Sequence, residues 1–229
     1  MSRGEQRLDV ACGTGELAIP AAQGGAIVTG IDIASNLIAL ARFEARAAHC
    51  VVQFDVGDAE ALPYAKGQFD TVMSMFGAMF AYRPERVAGE LLRVTRKGGR
   101  IAMANWTAEG FVGALFRAHA AVAPPPAGVP SPLAWGDERV VQSRFADRVT
   151  SLICIRRKLE LRFPFAPAAV TELFARCYGP TVAALRAADP DGSSRLRGEL
   201  TRLFEAHNIS TDGTTVIPGE YLDVQARVG

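Results

Sequence analysis

The stretch LDVACGTG, residues Leu8–Gly15, runs a short apolar strand into a glycine-rich turn, and a helix-compatible segment from Glu16 to Gln23 follows. Gly13 and Gly15 carry no Cβ and can take positive φ, so the backbone there can approach a ligand closely. The next helix offers N–H groups at its amino end. Downstream, Ala26 to Ile31 (AIVTGI) reads as a second buried strand with Asp32 at its carboxyl end. A carboxylate in that place can accept both hydroxyls of a ribose, as in nucleotide-binding α/β units.

Two cofactor classes use this layout. Gly13, Gly15 and Ala18 satisfy G-x-G-x-x-A with Asp32 near the expected distance, which fits a dinucleotide. Further features point elsewhere. Asp9 precedes the turn, Ala11 stands in place of its first glycine, and the next strand ends carry GDAEALPY (Gly57–Tyr64) and QFD (Gln68–Asp70). Together these residues resemble the class I S-adenosylmethionine (SAM) methyltransferases. Phe69 to Trp106 is similar to the strand, helix, GG turn and strand of small-molecule methyltransferases related to the ubiquinone/menaquinone C-methyltransferases.

The resemblance implies a Rossmann-like α/β fold: a mostly parallel seven-stranded sheet, helices on both faces and an antiparallel last strand. It implies SAM as cofactor, and no metal site is expected from the residue spacing. Carried over residue by residue, Asp9, Ala11, Gly13 and Gly15 would surround the methionine moiety, Asp32 the ribose, Asp58 and Ala59 the adenine, and Met75 the methionine side. Ile33 joins them as a cofactor-binding candidate.

Composition sets broader limits. A chain of 229 residues with 49% hydrophobic content suits one α/β domain with a cover. A net charge of +1 with interspersed signs gives no basic stripe for a nucleic-acid backbone, so a small-molecule substrate is expected. No apolar run has the length of a membrane span, and the first residues lack the apolar core of a secretion signal. Cys12, Cys50, Cys154 and Cys177 are scattered without metal-type spacing, as reduced thiols are in a cytoplasmic protein. Cys12 reads as a small loop residue with no activating base near it in sequence.

The alternation of strand and helix gives the organisation. Ser35 is expected to cap a helix through Ala48. Val51–Val56 and Thr71–Met75 read as strands, Arg83–Thr95 as a helix, Gly98–Gly99 as a turn and Arg100–Asn105 as the fifth strand. A helix over Glu109–Ala123 leads into PPPAGVPSPLAWG (Pro124–Gly136), an ordered loop or flap. Asp137 caps a helix to Phe145, and Val149–Phe163 and Thr214–Val228 are the last strands, with a possible bulge near Arg156 to Lys158. Between them a mostly helical insert, Pro167–His207, breaks around Gly179-Pro180 and Asp189–Ser193. The division expected is a SAM-binding domain over 1–163 and 208–229, with 164–207 as an insert covering the substrate site. Only Met1–Arg7 precede the first strand, where related enzymes carry helices that help close the cofactor pocket.

SAM carries its methyl on a positively charged sulfur, so in-line displacement needs chiefly a nucleophile held opposite that sulfur. A general base helps only for an alcohol, phenol or acidic carbon. The candidates are His119, Tyr178, His207 and Tyr221, each with a sufficient structural explanation, and the catalytic residue stays unassigned. Phe76 and Trp106 fall just past strand carboxyl ends, where ligands bind in such sheets; with Trp135 and Tyr178 they are candidates to face a flat or lipid-like acceptor, packing being the other reading. An apolar helical face on the insert would also serve a homodimer contact. Two other functions share the loop: an NAD-type oxidoreductase, for which no Tyr-x-x-x-Lys pair is present, and a non-catalytic SAM-binding module.

Overall fold

The computed structural model describes residues 4–229; Met1–Arg3 of the N-terminal segment lie outside the described residues. Seven strands form one sheet in the order β3-β2-β1-β4-β5-β7-β6. They are β1 (Gln6–Val10), β2 (Ile27–Asp32), β3 (Gln53–Val56), β4 (Phe69–Met75), β5 (Thr95–Trp106), β6 (Val149–Phe163) and β7 (Thr215–Val228). Strands β1 to β5 pair in parallel, with Leu8 opposite Thr29 on one side and Val72 on the other. The β5-β7-β6 part is antiparallel. Leu8, Val10, Val28, Ile31, Val72 and Ile101 are buried, as expected of central strands covered on both faces.

Helices α1 (Ala18–Gln23), α2 (Ser35–Ala47) and α3 (Pro84–Val94) connect the parallel strands. Helix α3 shows its sequence logic plainly. Pro84 supplies a preset φ at its first turn, and Val87, Ala88, Leu91 and Leu92 form the buried stripe. The chain divides into two compact units. The first holds the residues up to Asn105 with Pro130–Ile155 and Leu222–Gly229; the second holds Trp106–Val129 and Arg156–Tyr221. The first unit also contains α5 (Glu138–Phe145), whose amino end is capped by Asp137 through the N–H groups of Arg139 and Val140.

The second unit is built on α4 (Gly110–Val122), α6 (Pro167–Cys177), α7 (Gly179–Ala187) and α8 (Pro190–His207). Phe204 is its hub, with ring centroids 5.0 Å from both Phe111 and Phe174. The break between α6 and α7 is the single residue Tyr178; Gly179 and Pro180 begin the next helix.

Two local expectations are corrected. Gly98 and Gly99 do not form a free turn before the fifth strand. β5 already starts at Thr95, opposite Phe69, and the ladder resumes with Arg100 opposite Thr71, so Arg96–Gly99 bulge out of register within the strand. Ser35 does not cap α2. Ala34 holds the cap position, and its N–H is satisfied instead by the carboxylate of Asp32 at 2.9 Å.

Candidate cofactor site

The strand order reverses beside β1: the chain steps outward through β2 and β3, then returns to β4 on the other flank. In open α/β sheets ligands bind at the carboxyl ends of strands at such a switch point. Backbone strain collects at this place. Ala11 after β1 and Phe76 after β4 are held at φ 56° and 58°, in the left-handed region that costs a side-chain-bearing residue about 1–2 kcal/mol. Two adjacent strand ends in that state are a site-like feature, because strain of this kind persists where surrounding structure imposes it.

The loops press directly on one another. A Cβ placed on Gly77 would stand 2.5 Å from the Ala11 carbonyl oxygen and 2.6 Å from the Ala11 Cβ, so only glycine permits the approach. Gly13, at φ +54°, is different: a Cβ there would meet nothing within 4 Å. Its N–H donates to Asp32 Oδ2 at 2.9 Å, while Asp32 Oδ1 accepts the Ala34 N–H. Asp32 thus ties the glycine loop to the start of α2, and each of its oxygens keeps acceptor capacity.

Asp9 is 1% exposed, and its Oδ2 has no hydrogen-bond partner. Burial pushes its carboxyl up to about 7, with the nearby Asp32 charge adding to the rise and the Ala18 N–H, which donates to it, opposing. Below pH 4 the group is protonated in the folded and unfolded chain alike. Between pH 4 and 7 only the unfolded chain releases the proton, so the folded state loses stability as pH rises, and above 7 the penalty is constant. We expect urea titrations to show wild type falling relative to Asp9→Asn by about 1–4 kcal/mol between pH 4 and 7. Parallel curves for the two proteins would contradict a buried carboxyl with one oxygen unpartnered. Burial, with the carboxylates of Asp9 and Asp32, also pushes the Cys12 thiol far upward, which removes it as a nucleophile.

After β3, Asp58 Oδ1 accepts the Glu60 N–H at 2.8 Å. Buried Glu60 accepts the Arg83 N–H at 2.8 Å and also bonds the Arg83 side chain. Further along, Leu62 N–H donates to Glu90 at 2.7 Å, and Arg93 donates to the carbonyls of Leu62 and Tyr64 at 2.8 and 2.6 Å. The segment carrying Asp58 and Ala59 is therefore moored to α3. Apolar side chains stand on the same edge: Ile33 beyond β2 is 73% exposed and Met75 at the end of β4 is 40% exposed.

Sequence reasoning brought Asp9, Ala11, Gly13, Gly15, Asp32, Ile33, Asp58, Ala59, Met75 and Phe76 forward, and all of them lie in the first unit at or just beyond the carboxyl ends of β1 to β4. It missed Gly77 and Arg93, and it quoted Glu60 only as part of GDAEALPY, with no role of its own. A lone glycine two residues past the end of the fourth strand was the available signal for Gly77; nothing local marks Arg93. Trp135 also lies in the first unit, buried beneath Arg144, whose guanidinium carbon is 4.3 Å from the ring centre, and near Phe145. Trp106 and Tyr178 belong to the second unit. Trp106 packs where a Cβ on Gly219 would come within 2.9 Å, and Tyr178 packs on Phe174 at 4.9 Å.

Among the base candidates, His119 is buried with Nε2 2.9 Å from Thr181 Oγ1, and burial lowers it to about 4. His207 Nδ1 bonds the Leu203 carbonyl at 2.9 Å. Burial raises Tyr178 to about 12.

Comparison with known proteins agrees with this geometry. Residues 8–103 match the family described as Methyltransferase domain. The uncharacterized protein Rv1403c of Mycobacterium tuberculosis is 40% identical over 98% of this chain and 82% of its own length. A demethylmenaquinone methyltransferase of Thermus thermophilus is 38% identical over 49% of this chain and 53% of its own. The structure of a SAM-dependent methyltransferase from Methanosarcina mazei superposes with a TM-score of 0.58 at 17% identity, covering 100% of this chain and 94% of that one, a likeness of fold. With the glycine loop, the strand-end carboxylates and these matches in agreement, the chain belongs to the class I SAM-dependent methyltransferases, and SAM is its cofactor.

Proposed function

We propose that the chain methylates a small organic acceptor, with SAM held by Asp9, Ala11, Gly13, Gly15, Asp32, Ile33, Asp58, Ala59 and Met75. The observation that carries the cofactor assignment is the pairing of a buried, unpartnered Asp9 oxygen with a Gly13 whose missing Cβ faces open space. A cationic amino group on the ligand would satisfy the first, and close backbone approach would use the second. Asp32 has lone pairs left for ribose hydroxyls, and exposed Ile33 and Met75 offer apolar contact to a base and a thioether chain.

The cofactor supplies an electrophilic methyl on a cationic sulfur. The protein's part is to bind, orient and exclude water. His119, held neutral and bonded to Thr181, gives no support to a mandatory histidine base. The reading that fits is catalysis by alignment, with an acceptor whose own atom is nucleophilic or readily deprotonated. A small acceptor is supported by the near-zero net charge, and Phe76 at the strand edge suits an apolar body. Trp106, Trp135 and Tyr178 stay proposed acceptor contacts. A cytoplasmic setting is supported by four unpaired cysteines.

Asp32→Ala tests this reading. SAM affinity should fall by about 1.5–3 kcal/mol, the worth of hydrogen bonds to a charged group. The fold should also weaken, by about 1–3 kcal/mol, because the Gly13 and Ala34 N–H groups lose their acceptor. A folded variant with unchanged SAM affinity by calorimetry would remove Asp32 from the site.

A further inference from the structure

Helices α4 and α8 of the second unit lie side by side, joined where Phe111 meets Phe204. Elsewhere along the pair they leave a groove of about 480 Å³, within the range of about 300–1,000 Å³ for small-molecule sites. Its apolar lining is Ala118 and Ala121 from α4 and Leu196 and Leu203 from α8. Its rim is cationic. Arg195, Glu199 and Arg202 follow one another at helical spacing along one face of α8, and Arg117 stands on α4.

The charges on the rim do not balance. Arg202 pairs with Glu199 at 2.7 Å, but Arg117 donates only to the Ala108 carbonyl at 3.3 Å, and Arg195 has no carboxylate partner among the described residues. Two guanidinium groups therefore border an apolar trough without a counter-ion. A neutral guest would leave them unused and a cationic one would be repelled. A nucleic-acid backbone would need a longer basic stripe than a chain of net charge +1 offers here. A bilayer surface needs large apolar side chains outermost, whereas here Leu196 is buried and Arg117, Arg195 and Arg202 are the exposed groups.

We propose that this groove binds a single-chain anionic amphiphile, a long-chain carboxylate, with its tail along the alanine and leucine lining and its headgroup at Arg117 and Arg195. The groove lies wholly within the second unit, and its chemistry is independent of the identity of the methyl acceptor. Guanidinium groups suit a carboxylate because they can donate two parallel hydrogen bonds to it.

The test is calorimetry on the full chain with dodecanoate below its micellar concentration, beside dodecyltrimethylammonium and phosphatidylglycerol vesicles. Dodecanoate should bind one to one. The double variant Arg117→Glu/Arg195→Glu should weaken it by about tenfold or more, as loss of charge-assisted hydrogen bonds does. Ala121→Trp, which fills the groove, should weaken it likewise. Arg117, Ala121 and Arg195 are all exposed, so these variants should keep the wild-type circular dichroism and melting behaviour. Absence of dodecanoate binding, equal binding by the double variant, equal binding of the ammonium amphiphile, or binding to vesicles alone would each overturn the proposal.

Discussion

Replacing Gly77 with alanine should destabilise the protein by about 1–3 kcal/mol, the usual cost of overpacking, and weaken SAM binding with it. Gly77 has φ −106° and ψ −58°, a conformation open to any residue, so the cost comes from contact alone. The new Cβ would stand 2.5 Å from the Ala11 carbonyl oxygen and 2.6 Å from its Cβ. Neither atom is the end of a flexible side chain, so the two strand-end loops must separate. Ala11 carries strain of its own at φ 56°, and Ala11→Gly should raise stability by about 1 kcal/mol. In the double variant the Cβ–Cβ contact disappears while the carbonyl contact remains. Part of the loss should return, and the two changes should be non-additive. Urea unfolding of the four proteins measures this cycle; a Gly77→Ala variant as stable as wild type would show that the loops are not in contact.

Gly13→Val should divide its effects the other way. A β-branched residue at φ +54° is strained, which costs about 1–2 kcal/mol of stability, but its side chain enters open space and meets no protein atom within 4 Å of the Cβ. That space is where the proposed cofactor contact lies. SAM affinity should therefore fall by about a hundredfold or more, equivalent to about 3 kcal/mol. Gly13→Ala, which lacks the β-branch, should show a smaller stability cost and a smaller loss of binding. A folded Gly13→Val protein with wild-type affinity would make the loop an ordinary tight turn.

The contrast between these two glycines shows where sequence reading succeeds and where it stops. Gly13 sits in a local pattern, strand then glycine turn then helix, and the pattern itself signals backbone approach to a ligand. Gly77 matters because of Ala11, sixty-six residues earlier, and no local period encodes that meeting. The same holds for Asp32. Its place at a strand end suggested a ligand, whereas its bonds to Gly13 and Ala34 became visible only once the strands were side by side. Elements with strong local chemistry were legible: the Asp137 cap, the helix break at Tyr178 and the long strands β6 and β7. Gly98 and Gly99 read as a turn because glycine pairs usually form one, but pairing with β4 on both sides of them absorbs them into β5 as a bulge. The grouping of α4 with α6 and α8 likewise comes from ring packing around Phe204, and α7 joins α4 through the bond between Thr181 and His119, both tertiary facts.

The mooring of the Asp58–Ala59 segment gives the proposed site a second shared cause. Glu60 with Arg83, and Glu90 with Arg93, hold that segment to α3, and α3 leads directly into β5. Preorganisation of this kind suits a reaction in which the protein aligns two partners and adds little covalent chemistry.

Isothermal titration of the wild-type chain with SAM, S-adenosylhomocysteine and NAD measures the central claim most directly. Binding of SAM and S-adenosylhomocysteine at one site per chain, with no heat from NAD, is the result this structure predicts. Saturable binding of NAD with none of either sulfur-containing ligand would contradict it.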